Sequence, residues 1–389
     1  MKKIFVILGL FLAIFALYVT FFSPSSLPIS PLGSPKPSGE GGSSTSPSYV
    51  ILGFAPYWNL KKLTLDSLAD ITHFAYFHLL LRDDGSIYTK INRREEDPGY
   101  TNYKRLVAGT VNRGTKPLIL TFMPESQSAL ADLLSSLSSR ARAIATILTS
   151  LSESGSSGVN IDFEPLGETP PSLRDSFTLF VRELRSQLDL LPNNYNLKPL
   201  LTISTYASAA VKPRIWDLSG LAPLTDYFVV MAYDYTMPGS DTSGPTAPLR
   251  GSGELFEHDI IKNIAEITKL VPAGKLLLGI PFYGYQWDTQ DSTKYSPVEA
   301  KGSVASLERI QQMLDDQTLS LLWDRNTLTP YGIASESGQI SQIYFENETS
   351  IRLKLEFVKS AGLGGIAIWA LGYEGNIPWL WPLINSLNN

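Results

Sequence analysis

The sequence predicts an α/β fold, namely a (β/α)8 TIM barrel with a small α+β insertion between its seventh and eighth strands. Eight short apolar runs recur along the chain, and segments with helical periodicity lie between them. Near-continuous apolar strands that alternate with helices indicate a parallel sheet whose outer face is covered. An open, doubly wound sheet is the alternative, but no Gly-x-Gly-x-x-Gly motif follows the first run to support a dinucleotide site.

The first 48 residues are predicted to lie outside this barrel. Lys2 and Lys3 precede an uncharged run from residue 4 to residue 22, which at about 1.5 Å per residue is close to the roughly 30 Å of a bilayer core. We predict that residues 1–22 form an uncleaved signal anchor, with a cleaved signal peptide as the alternative. The charge at its start would place the rest of the chain on the extracytoplasmic side. Residues 23–48 are rich in Ser, Pro and Gly and are predicted to be a flexible linker.

The apolar runs are bounded by turn residues, as expected for the buried strands of one barrel domain over residues 49–389. In chain order they read YVILGFAPYW, ITHFAYFHLLL, KPLILTFMPE, GVNIDFEP, PLLTISTY, DYFVVMAYD, KLLLGIPFYGY and GGIAIWAL. Between the seventh and eighth runs, residues 286–348 are too many for a single crossover helix. They are therefore predicted to form the α+β insertion.

Three of the intervening segments have the spacing of amphipathic helices. Apolar residues recur every three or four positions over residues 173–188, where Ser172 and Asp175 are placed as a capping pair. The same spacing predicts a helix over residues 260–270 and one long helix over residues 129–151. These helices would cover the outside of the barrel.

The fourth run contains Asn160, Asp162 and Glu164 at alternate positions. In an extended strand these three polar groups share one face, while the apolar residues between them pack on the other. Glu164 would then lie at the C-terminal mouth of the barrel, where such folds carry their active sites. Other strand ends bring polar or aromatic groups to the same level, namely Tyr57, Trp58, Glu125, Tyr206, Tyr233, Asp234, Tyr283 and Trp369. Aromatic rings around carboxylates suit a sugar, so a carbohydrate site is predicted.

Composition excludes several other classes of site. A formal net charge of −5 without a clustered basic segment argues against a nucleic-acid partner. The chain has no cysteine and only three histidines, so disulfides and zinc–thiolate sites are excluded and a histidine metal cluster is not expected. We therefore predict a monomer that needs no metal and no cofactor.

Four motifs in order resemble glycoside hydrolase family 18, the chitinase-like barrels. The family's fourth-strand pattern Asp-Gly-x-Asp-x-Asp-x-Glu is matched by SGVNIDFE, and its sixth-strand Met-x-Tyr-Asp is intact as MAYD. The seventh strand, LLLGIPFYGYQW, and the eighth, GLGGIAIWALG, are also similar. Within the family, the sequence looks most like bacterial spore-cortex and cell-wall N-acetylglucosaminidases.

The resemblance implies a retaining, substrate-assisted cleavage of β-1,4-linked N-acetylglucosamine in peptidoglycan or chitin-type glycans. It implies that Glu164 is the general acid and base and that Asp162 orients the acetamido group of the substrate. Tyr233 would donate its hydroxyl to the acetamido oxygen. The substrate contacts expected at strand ends involve Asn160, Asp234, Trp369, Tyr57, Tyr206, Tyr283 and Glu125.

Two departures from the family pattern leave alternatives open. Ser157 and Asn160 stand where the pattern has Asp, and FMPES replaces the third-strand Ser-x-Gly-Gly. A non-catalytic glycan-binding protein on the same barrel is one alternative, although Glu164 is retained. A glycosidase with two protein carboxylates is another, and Glu125 is its candidate nucleophile. A buried carboxylate network with ordinary core aromatics is the purely structural interpretation.

Overall fold

The eight apolar runs form a closed barrel of parallel strands. The computed structural model describes residues 49–191, 198–253 and 256–389. The barrel strands pair in the order β1, β13, β7, β6, β5, β4, β3, β2 and back to β1, which confirms the predicted (β/α)8 architecture. Their bounds are β1 Val50–Pro56, β2 His73–Leu81, β3 Leu118–Pro124, β4 Gly158–Ile161, β5 Leu200–Tyr206, β6 Tyr227–Met231, β7 Leu276–Pro281 and β13 Gly365–Trp369.

The predicted anchor (residues 1–22) and linker (residues 23–48) lie outside the described residues. Within the described ranges, no helix has both the length and the apolar character needed to cross a bilayer. The anchor and the extracytoplasmic location therefore stay predictions.

Ten α-helices occur in the described part of the chain, most of them around the barrel. Their bounds are α1 Leu65–Ala69, α2 Pro98–Val107, α3 Gln127–Ser135, α4 Leu137–Ser154, α5 Pro171–Leu188, α6 Leu218–Leu221, α7 Ile260–Ile267, α8 Leu307–Asp315, α9 Glu348–Ser360 and α10 Leu380–Asn385.

Two helix predictions were wrong in detail. The long helix expected over residues 129–151 is divided at Ser136, whose extended backbone ends α3 and whose Oγ accepts a hydrogen bond from the Ser139 N–H to start α4. Serine hydroxyls compete for backbone N–H groups, which favours such a break. The predicted capping pair at Ser172 does not form, because α5 begins at Pro171, where the fixed φ of proline suits a first helical turn.

The barrel strands bury two separate apolar layers. The alternate positions Val159, Ile161 and Phe163 belong to the large outer core between strands and helices. Phe163 stacks on Phe180 of α5 with ring centroids 5.6 Å apart. The inside of the barrel has its own small cluster, made of Leu52, Phe54, Ala75, Phe77, Ile119, Val229, Leu277 and Ala367. A packed interior leaves only the mouth of the barrel open for chemistry.

A second sheet forms the insertion between β7 and β13. It comprises five antiparallel strands in the order β10, β11, β12, β8, β9. Their bounds are β8 Tyr283–Thr289, β9 Ser303–Ser306, β10 Ser320–Asp324, β11 Thr329–Glu336 and β12 Gln339–Tyr344. The insertion predicted from residue 286 therefore begins earlier. The seventh apolar run is divided at Phe282, whose N–H donates to the carbonyl of Trp369 and not to a neighbour in the second sheet.

A fully buried ion pair joins the insertion to α9, the helix that precedes the last barrel strand. The ammonium of Lys354 on α9 lies 2.7 and 2.8 Å from the two carboxylate oxygens of Glu346, which follows β12, and both side chains are 0% exposed. Burial lowers the pKa of Lys354 and raises the pKa of Glu346, and in each case the partner's charge partly offsets the shift. The pair is thus costly to desolvate and costly to break.

Candidate active site

Asn160, Asp162 and Glu164 follow one another along the inner face of β4 and the extended segment after it. Asn160 and Asp162 are buried, and Glu164 is half-buried at the mouth. The Asp162 N–H donates to the Phe122 carbonyl at 3.0 Å, so the chain continues beside β3 after regular β4 pairing ends. This geometry confirms the predicted alternation of inward polar and outward apolar residues.

Asn160 is the deepest of the three and has its hydrogen bonds satisfied. Its Nδ2 donates to Ser204 Oγ at 3.0 Å, and its Oδ1 accepts from Thr202 Oγ1 at 2.8 Å. A neutral amide can both donate and accept, which a carboxylate cannot do. Asn160 therefore ties β4 to β5 without placing a charge beneath Asp162.

The two carboxyl groups of the site are both harder to ionise than free carboxyls. Burial and the nearby charge of Glu164 raise the pKa of Asp162 well above its usual value, and Asp162 Oδ1 has no hydrogen-bond partner among the described residues. Burial also raises the pKa of Glu164, the nearby Tyr206 hydroxyl lowers that pKa, and the charge of Asp234 raises it. Two neighbouring carboxyls shielded from water tend to retain one proton between them. The raised pKa of Glu164 favours its protonated form, which is the form that a general acid needs.

Tyr233 and Asp234 enter the site from the end of β6. Burial and the surrounding carboxylates raise the pKa of Tyr233, so its hydroxyl stays a donor. Gly279 on β7 makes room for the ring, because a Cβ there would meet the Val230 carbonyl at 2.6 Å and Tyr233 Cε1 at 2.9 Å. Asp234 accepts hydrogen bonds from the hydroxyls of Tyr283 and Tyr285, the latter at 2.8 Å. The first strand of the insertion thus orients a carboxylate of the barrel.

Trp369, the last residue of β13, forms an aromatic wall of the site. Its ring packs edge-on against the Phe77 ring, with ring centroids 4.5 Å apart, and the centroid of the Phe54 ring lies 6.0 Å away. Phe54 and Phe77 both belong to the cluster inside the barrel. This contact fixes the indole beside the carboxylates. A flat ring there offers the apolar surface that a sugar ring needs.

These groups line one cavity of about 630 Å³ at the barrel mouth. Of the predicted site residues, six contribute to its wall: Asp162, Glu164, Tyr206, Tyr233, Asp234 and Trp369. Asn160 and Tyr283 reach the site through hydrogen bonds to Ser204 and Asp234.

Tyr57 and Glu125 are not among the described residues that line the cavity. The Tyr57 ring packs against Trp58 at 4.9 Å. Glu125 is exposed at the rim, and partial desolvation raises its pKa, with Arg82 opposing the shift and Asp83 and Asp84 adding to it. The structure gives neither side chain a place beside Glu164.

Several wall residues had not been predicted from the sequence. They include Ser204, Met231, Arg214, Met237, His258 and Asn263. Ser204 alternates with Tyr206 on β5, and Arg214 follows β5 in the next loop, so strand-end position was an available signal for both. His258 and Asn263 come from the start of α7, which only the folded chain brings to the mouth.

Comparison with known proteins agrees with this architecture. Residues 50–374 match the glycosyl hydrolases family 18. The chain is 24% identical over 322 residues to the cortical fragment-lytic enzyme of Bacillus anthracis, which covers 81% of this chain and 67% of that protein. It is 26% identical over 246 residues to chitinase A1 of Niallia circulans, covering 56% of this chain and 35% of that protein. The chain thus spans between about one third and two thirds of the length of these relatives.

Solved structures share the fold at low sequence identity. A GH18 chitinase from Cycas revoluta in complex with (GlcNAc)3 superposes with a TM-score of 0.73 at 20% identity, covering 87% of this chain and 98% of that one. A family 18 N-acetylglucosaminidase from Paenibacillus barengoltzii gives a TM-score of 0.71 at 21% identity, covering 87% and 99%. Because the family match extends over most of the chain and the barrel agrees with it, the protein belongs to glycosyl hydrolase family 18.

Proposed function

We propose that the protein is a retaining glycosidase that cleaves β-1,4-linked N-acetylglucosamine glycans with the help of the substrate's own acetamido group. The observation that carries this proposal is that the buried Asp162 and the half-buried Glu164 line one cavity together with Tyr233 and Trp369. The cortical fragment-lytic and chitinase relatives, and the chitinase structures that hold N-acetylglucosamine oligomers, support the same substrate class. The proposed setting is extracytoplasmic, through a membrane anchor at residues 1–22.

In the first step the acetamido carbonyl oxygen attacks the anomeric carbon while the glycosidic C–O bond breaks. Glu164 gives its proton to the departing oxygen, and Asp162 accepts a hydrogen bond from the acetamido N–H and offsets the charge of the oxazolinium ion. Water then attacks the same carbon, Glu164 takes up a proton, and the oxazolinium ring opens. The anomeric configuration is retained because two displacements occur at one centre.

The alternatives are less well supported by the positions of the acidic residues. A mechanism with two protein carboxylates needs a nucleophile about 5 Å from the acid. Glu125 is exposed outside the cavity wall as described. A non-catalytic glycan-binding protein would not need a carboxyl group with a raised pKa at the barrel mouth, yet Glu164 is present and its pKa is raised by partial burial.

An N-acetylglucosamine-derived thiazoline tests the proposed mechanism. It mimics the cyclic intermediate, so we expect it to bind at least about 10²-fold more tightly than the corresponding sugar. Inhibition constants would be measured during hydrolysis of chitooligosaccharides and of peptidoglycan. Equal hydrolysis of glycans with and without the acetamido group would contradict substrate assistance. Absence of new reducing ends from both glycans over a wide pH range would contradict the glycosidase itself.

Tyr206→Phe is expected to move the alkaline limb of the pH–rate profile to higher pH. The Tyr206 hydroxyl lowers the pKa of Glu164 by stabilising the ionised form, so its loss raises that pKa further. Because Glu164 must be protonated to act as the acid, the active form would persist to higher pH than in the wild type. The measurement is kcat/KM against pH for wild type and variant. A limb that moves to lower pH would contradict this role.

A further inference from the structure

The cavity wall also includes residues outside the proposed catalytic groups. Arg214, in the loop after β5, lines the same cavity as Asp162 and Glu164, together with Leu166, Met237 and His258. The wall therefore carries a guanidinium as well as carboxyl groups.

Arg214 is held in place by neutral groups. Its guanidinium lies over the Tyr206 ring at 4.5 Å from the centroid, and Nη1 donates to the Pro165 carbonyl at 3.2 Å. The arginines that form ion pairs among the described residues are Arg140, Arg142, Arg185 and Arg352, and Arg214 is not one of them. A guanidinium has five N–H donors, so most of the hydrogen-bonding capacity of Arg214 remains available.

Two neighbouring basic side chains lie close to a carboxylate, unlike Arg214. Lys212 Nζ and His258 Nε2 each lie 3.2 Å from a carboxylate oxygen of Glu257. Glu257 is exposed and is positioned to neutralise charge at the surface. Arg214, which lines the cavity, is half-buried and forms no ion pair among the described residues. Such a charge is costly to desolvate unless a ligand supplies an anion.

We propose that Arg214 binds a carboxylate carried by the glycan, and so selects acidic acetamido-sugar polymers over neutral ones. This inference rests on the proposed function and names its substrate more closely. Neutral chitin-type oligomers offer a guanidinium no counter-charge, whereas a carboxylate matches its two parallel N–H groups. The carboxylate could be that of a lactyl ether on the sugar or of a peptide attached to it, as in peptidoglycan.

Binding in a Glu164→Gln background tests the selection without hydrolysis. Titration calorimetry would compare a chitooligosaccharide with a peptidoglycan fragment of the same number of sugars. Adding Arg214→Gln is expected to weaken binding of the acidic fragment by about 10- to 100-fold, because a charge-assisted hydrogen bond is lost. Binding of the neutral oligomer should weaken by less than about twofold. Lys212→Gln is the matched control, since it removes the same charge from the same loop outside the cavity wall, and it should change neither affinity.

Chemical variants of the ligand identify the group that is bound. Fragments with a free lactyl carboxylate and fragments with attached peptides are compared, each with its methyl-amidated form. If amidation of one fragment abolishes the difference in affinity between wild type and Arg214→Gln, the carboxylate of that fragment is the group that Arg214 binds. Arg214→Lys, which keeps the charge but loses the planar fork, should retain part of the preference and guards against a folding defect in Arg214→Gln.

Two results would overturn the inference. An equal loss of affinity for neutral and acidic ligands would mean that Arg214 only positions Tyr206 and the loop after β4. Unchanged affinity for every acidic fragment would mean that the guanidinium binds no carboxylate. Neither result depends on hydrolysis, so failure of the proposed glycosidase activity is recognised separately, as an absence of new reducing ends with wild-type protein.

Discussion

Glu164→Gln is expected to lower kcat by about 10²- to 10⁴-fold, the usual contribution of a positioned general acid. The amide has nearly the shape of the carboxyl group but no proton to give to the departing glycosidic oxygen. Binding should be largely kept, because the cavity wall formed by Trp369 and Tyr233 is unchanged. The measurement is release of reducing ends under saturating substrate, together with the glycan Kd.

Two glutamates on nearby loops provide the comparison for Glu164. Glu168→Gln makes the same chemical change four residues further along, at an exposed position, and should leave kcat unchanged. Glu125→Gln distinguishes the mechanisms, since a large loss there would favour a second protein carboxylate as nucleophile. Full activity of Glu164→Gln would rule out the assigned acid.

Lys354→Met is expected to lower the free energy of unfolding by about 3–5 kcal/mol, because it leaves Glu346 buried without its partner. Both charged groups are completely buried, and the ammonium contacts both oxygens of the carboxylate. The pair joins the end of β12 to α9, so the loss should loosen the insertion where it meets the barrel. Denaturant unfolding of the purified proteins measures the change.

A double variant and a matched single variant complete the Lys354 experiment. Replacing both partners, by Lys354→Met with Glu346→Leu, should recover most of the lost stability, since no uncompensated charge remains. Lys359→Met changes an exposed lysine on the same helix, which loses only a solvent-exposed hydrogen bond to the Ser386 carbonyl, and should cost about 1 kcal/mol. If the double variant were no more stable than Lys354→Met, the burial of a lone charge would not be the cause.

Local sequence pattern predicted the barrel well because each strand is a separate apolar run. A strand that is buried on both faces needs a continuous run of hydrophobic residues. Such a run can be recognised in the sequence without knowing which strands pair with it. Element ends were less predictable. Ser136 divides a stretch with unbroken helical spacing, and Phe282 separates β7 from β8 within one apolar run, because hydrogen bonds to distant groups decide where each element stops.

In the candidate site, too, the local sequence pattern predicted some features, and others depend on contacts between distant residues. The period-two spacing of Asn160, Asp162 and Glu164 predicted one polar face, and the structure has it. The spacing could not predict that Asn160 is fully engaged by Thr202 and Ser204 while Asp162 Oδ1 has no partner among the described residues. Those contacts cross from β4 to β5, and side-chain partners on another strand are not encoded in the spacing of one strand.

The residue pattern was enough to predict the barrel, the polar face of its fourth strand and the family to which the motifs point. Which strand-end residues meet is visible only in the folded chain. Folding places Tyr206, Tyr233 and Trp369 in one cavity with Glu164, leaves Glu125 at the exposed rim, and adds Arg214 to the cavity wall. The physical reason is that strand patterns follow from burial, which is local in sequence. The distances between side chains at a barrel mouth follow from closure, loop path and packing, which involve the whole chain.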